Sequence, residues 1–139
     1  MVMHLKSKVQ KLSPRLHKLF IRAHKVFKKE YPRQDANIQP VFLKGDETQL
    51  LCKKPGKDRR FAKSFFKRGK GVVIFDVGLD KMPDDFVFFH FLHELIHAGF
   101  GETDESVALS ITFDVLKKLG IDRDDFMQRY QHLLAKSSQ

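Results

Sequence analysis

Apolar residues recur along this chain at two distinct spacings. Between Pro14 and Tyr31, the residues Leu16, Leu19, Phe20, Ala23, Phe27 and Tyr31 return every three or four positions, the repeat of a helix with one apolar face. Ser13 supplies an N-cap, and Pro14 suits the first helical position, where no amide donor is needed. "PRQDANIQP" breaks the periodicity. "VFLKGDETQLLC" then reads as two short strands around a Gly-Asp turn, and "GVVIFDVGL" as a strand apolar on both faces. The connection between them, "KKPGKDRRFAKSFFKRGKG", follows no single period and is assigned to no one element. Pro83, Asp84 and Asp85 open a second helix with acidic groups at its positive end, and Gly99 and Gly101 close it. A third helix is predicted from about Asp104 to Leu119, stopping at Gly120. Asp122 caps a fourth, about 123–135, with Phe126, Tyr130, Leu133 and Leu134 on one face. Helix, strands, helix, helix, helix predicts an α+β domain.

The second helix breaks the amphipathic rule. Phe86, Val87, Phe88, Phe89, Phe91, Leu92, Leu95 and Ile96 leave it almost no polar side, yet His90, His93, Glu94 and His97 lie within it. Polar groups buried in such surroundings need partners. His93 and His97 are four residues apart, so both imidazoles emerge from one face and can hold one cation from consecutive turns. Glu94 is rotated by about 100° from His93, and can stand beside the cation to deprotonate a water. His-Glu-x-x-His on a helix is the metalloprotease signature for this reason. Zinc is the expected ion, since it takes imidazole and carboxylate ligands and keeps one position for water.

A third ligand is required, and Glu102, Asp104 and Glu105 follow closely. On the wheel of the third helix, Ala108, Thr112, Val115, Leu116 and Leu119 define an inner face. Glu105 falls within it, Asp104 at its other margin and Glu102 toward the polar edge. Glu105 is the expected ligand, with Glu102 and Asp104 as alternatives, since acidic residues at a helix start also serve as caps. His90 reads as a packed core residue and stays outside the ligand set. Asp76 is a candidate to orient a ligand histidine, Tyr130 and His132 to stabilise an oxyanion, and Cys52 to cap the metal in a latent form.

Composition bounds the rest. The 139 residues fit one domain, 1–139, with 42% hydrophobic and 12% aromatic content. The single cysteine, Cys52, excludes an internal disulfide and suits a reducing compartment. No run is long and apolar enough for a membrane span, and the opening "MVMHLKSKVQKL" lacks the apolar region of a secretory signal. A cytoplasmic location without membrane association is expected. The net charge of +9 is divided unevenly: residues 1–70 hold 20 Lys and Arg against five acids, whereas residues 71–139 hold six against 12. The segment 53–70 interleaves nine basic residues with Phe61, Phe65 and Phe66, the ingredients of nucleic-acid binding by phosphate attraction and stacking. A second reading follows: a basic nucleic-acid-associated or regulatory module with a structural zinc or a latent peptidase site.

With "HELIH" on a buried helix, a glycine-containing turn and an acidic start to the next helix, the chain resembles the gluzincin metallopeptidases, above all the small soluble minigluzincin-like proteins. The likeness is strongest over residues 72–119. It implies a backing helix, a small sheet whose edge strand aligns the substrate, an active-site helix, a ligand helix and a C-terminal helix. It also implies His93 and His97 as zinc ligands, Glu94 as general base and acid, Glu105 as third ligand, and a protein or peptide substrate. "GVVIFDVG" would belong to the sheet, as a candidate for the aligning strand. Glu105 follows His97 by only eight residues, which demands a sharp return through Gly99 and Gly101.

Overall fold

The computed structural model describes residues 13–34, 38–43, 62–67, 70–102 and 104–138. Helix α1 (Pro14–Glu30) begins at Ser13, whose side chain accepts the Leu16 amide, and ends where the Tyr31 N–H donates to Phe27 O. Extended backbone follows at β1 (Ile38–Leu43), β2 (Ala62–Lys67) and β3 (Lys70–Asp76), then a 3-10 turn over Val77–Lys81. Helices α2 (Asp84–Phe100), α3 (Glu105–Lys118) and α4 (Arg123–Ser138) complete the chain. The second of the two strands expected in "VFLKGDETQLLC" lies outside the described residues.

Helix α2 is the centre of the molecule. Every residue from Phe86 to Gly99 is buried, as expected of a helix apolar all round. Helix α1 packs along it, where Phe20 meets Phe91 edge-on with centroids 5.5 Å apart. Phe27 and Tyr31 close on Phe100 at the far end. Arg15 fixes the near end, its guanidinium bonded to Asp84 Oδ1 (2.9 Å), to Asp80 O and Oδ1, and to the Met82 carbonyl. On the opposite side Phe89 meets Phe113 of α3 (5.4 Å) and Phe126 of α4 (4.9 Å).

The paired backbone runs in the order β1-β3-β2, with β1 parallel and β2 antiparallel to β3. Of these strands only Val73 and Phe75 have described side chains, both fully buried. Where side chains are described the domain is helical, at 79% of those residues, with no complete strand among them. The expected α+β class with a sheet is thereby corrected. Among the described side chains, those packed around α2 come mainly from α1, α3 and α4, joined by Val73, Phe75 and Leu79. Strand β3, the expected aligning strand, instead has a partner on each side, and only an unpaired edge can accept a further strand.

Helix α2 does not stop at Gly99, which is buried inside it. The chain reverses at Gly101 alone, in the left-handed conformation (φ 64°, ψ 30°), with the Glu102 N–H returning to His97 O at 3.0 Å. Glycine enters that region without the penalty a Cβ imposes. This one residue makes the sharp return to α3 possible. No helix among the described residues is long and apolar enough to cross a membrane.

Candidate metal centre

His93, Glu94 and His97 offer ligand atoms within 4.8 Å of one another, and all three are buried. Glu105, in the first turn of α3, meets both rings: His93 Nε2 lies 2.5 Å from its Oε1 and His97 Nε2 lies 3.3 Å from its Oε2. The other ring nitrogens are committed elsewhere. His97 Nδ1 donates to the Glu102 carbonyl at 2.6 Å, which the Gly101 reversal brings back beneath it. His93 Nδ1 is 3.0 Å from Thr112 Oγ1. The rings stand edge to face, 4.6 Å between centroids, and Phe89 stacks on His93 at 5.6 Å with planes 5° apart.

The alternatives for the third ligand have other work. Asp104 is the N-cap of α3, accepting the Ser106 and Val107 amides, and the Glu102 side chain accepts the Asp104 amide at 3.1 Å. The Glu105 side chain keeps 51% of its surface exposed, so the cluster it forms with the two buried histidines faces solvent on that side.

The spacing of these donors could hold a metal ion. Ligand atoms about 2.0–2.1 Å from a tetrahedral ion stand roughly 3.3 Å apart, the separation of His97 Nε2 and Glu105 Oε2. The His93 contact is shorter, so entry of an ion requires Glu105 Oε1 to draw back by about 0.8 Å, which a half-exposed side chain can do. His97 donates through Nδ1 to a carbonyl and presents Nε2, the orientation of a metal-binding histidine.

Charge in this cluster is strongly coupled. Burial disfavours a charged His97, but its bond to Glu105, the nearby charge of Glu94 and the Glu102 carbonyl outweigh that and raise its pKa to about 9. Burial also opposes a charged Glu105, yet its bonds to His93 and His97 hold it well below the usual carboxylate range. The signs follow from linkage. A folded-state pKa raised from 6.5 to about 9 contributes stability that is complete below pH 6.5 and lost as pH climbs through 9. A depressed carboxylate contributes stability present above its ordinary range and lost in acid. The metal-free protein is therefore expected to lose melting temperature between pH 6.5 and 9. Zinc affinity should rise across that same interval, because the ion displaces the His97 proton. Thermal scans with and without chelator check both slopes; parallel slopes would remove His97 from the ion's ligands.

The remaining candidates lie apart or outside. His90 packs edge-on against Phe86 and Phe89, and burial, then the neighbouring His93, lower its pKa to about 3, which keeps it a neutral core group. Tyr130 is buried on α4 and donates to Asp85 Oδ1 at 2.6 Å; burial and that bond raise its pKa to about 12. Asp85 precedes His93 by eight residues, about 12 Å along a helix axis, so Tyr130 braces the start of α2 and forms no part of the metal cluster. Cys52 lies outside the described residues, and so do 53–61, 68 and 69 of the basic segment; Asp76 and His132 have no described side chain. Comparison with known families, characterised proteins and solved structures finds no match for this chain. Sequence reasoning placed Thr112 on the inner face of α3 without seeing its role, although its position seven residues beyond Glu105 marks it as a neighbour on that face.

Proposed function

We propose that this chain is a zinc-dependent peptidase of the gluzincin kind, with His93, His97 and Glu105 as ligands and Glu94 as general base. The observation that carries this reading is the convergence of two buried Nε2 atoms on one carboxylate from the neighbouring helix. A zinc ion held there would supply Lewis-acid polarisation of a peptide carbonyl and ease the deprotonation of water. The carboxylate of Glu94 accepts a proton from the attacking water as its oxygen bonds to the carbonyl carbon. Glu94 then delivers that proton to the amide nitrogen as the C–N bond breaks, releasing a carboxylic acid and an amine. Burial of Glu94 beside His97 supports the role, because a dry carboxylate holds its proton-accepting geometry without competition from solvent. The solvent-facing side of Glu105 supports a catalytic centre over a closed structural one, since a catalytic ion keeps a position for substrate.

Two measurements test the reading. Protein prepared without chelator should carry one zinc per chain by elemental analysis; a metal-free sample that also ignores added Zn²⁺ would end it. Glu105→Ala should weaken zinc binding by at least about a hundredfold, beyond the usual cost of losing an orienting partner. Parent-like affinity in that variant would move the third ligand to another residue.

A further inference from the structure

We infer that Thr112 is the positioning residue of this centre, holding His93 with Nδ1 protonated and Nε2 turned toward Glu105. The inference deepens the metal-centre reading and rests on it for its functional meaning. Thr112 is completely buried, and its hydroxyl donates its one proton to the Ala108 carbonyl at 2.7 Å. With that proton engaged by Ala108, the oxygen is placed to accept from His93 Nδ1, 3.0 Å away. Nε2 is left facing Glu105 Oε1. The stacked Phe89 ring restrains the same imidazole from its flat side.

Helix geometry makes the device compact. Glu105 and Thr112 are seven residues apart, about two turns, and so share one face of α3. One rigid element therefore delivers both the carboxylate to Nε2 and the hydroxyl to Nδ1, fixing the ring at two points. His97 receives the equivalent restraint from a backbone carbonyl, which no substitution removes. Thr112 is thus the place where orientation can be separated from ligation. Valine has the same shape without the hydroxyl, and serine keeps the hydroxyl without the methyl.

Zinc affinity by chelator competition, together with ¹⁵N-imidazole NMR of the metal-free proteins, tests this on wild type, Thr112→Val and Thr112→Ser. Loss of an outer hydrogen bond to a ligand histidine costs 10–100-fold in metal affinity, so Thr112→Val should fall in that range and Thr112→Ser within about threefold of wild type. The His93 Nδ1 proton should be protected from exchange in wild type and Thr112→Ser and lost to solvent exchange in Thr112→Val. Wild-type affinity in the valine variant, or valine-like weakness in the serine variant, overturns the proposal. If wild type itself takes up no zinc, the metal reading falls separately, and the Nδ1 proton decides Thr112: dependence on the hydroxyl upholds its positioning role, and indifference overturns it.

Discussion

Glu94→Gln is expected to retain one zinc per chain while losing about 10²–10⁴-fold in peptide cleavage, the usual contribution of a positioned general base. Glutamine preserves the shape and hydrogen-bonding reach of the side chain but has no basicity. The substitution therefore leaves the two imidazoles and the Glu105 carboxylate in place, as they are joined without passing through Glu94. Glu94 is only 7% exposed, so solvent has poor access to stand in for the lost base. Cleavage of a quenched fluorescent peptide library, with zinc content measured on the same samples, separates the outcomes. Full cleavage by the variant would reject Glu94 as the base; loss of zinc would make it a ligand.

Phe89→Ala is expected to cost about 3–5 kcal/mol of folding stability, the range for emptying a large aromatic site in a core. That is a large share of the roughly 5–15 kcal/mol that holds a domain together. Phe89 is 1% exposed and joins α2 to Phe113 and Phe126 on two other helices. It also lies flat against His93, so its removal frees the ring that Thr112 and Glu105 otherwise hold. Zinc affinity should fall together with stability, and Phe89→Leu should recover much of both by refilling the volume. Urea denaturation of the metal-free protein reads the first effect. A loss under about 1 kcal/mol would mean that the three helices do not depend on this ring for their packing.

The helices were legible because their signals are local. Ser13 with Pro14, Asp104, and the Gly120–Asp122 stop and restart each act within one turn of chain, and the described helices begin or end at them. The strands were legible only in part: "GVVIFDVGL" falls on β3, whereas β2 lies in the basic connection assigned to no element. A β-branched run states its own preference, but it says nothing about which elements contribute the side chains that build a core. Gly99 and Gly101 look alike in sequence, yet one is buried in mid-helix and the other reverses the chain. Their difference is set by what packs around α2.

The sequence by itself determined that His93 and His97 share a helical face with Glu94 beside them, because a spacing of four residues on an apolar helix permits little else. Only the tertiary structure decided that Glu105 meets both rings while Asp104 caps α3 and Glu102 lends its carbonyl. It alone joined Thr112 to His93. The three acidic residues lie within one to three positions of each other in sequence but take different directions in space. The left-handed turn at Gly101 and the packing of α3 on α2 set those directions, and neither is a property of local residue pattern.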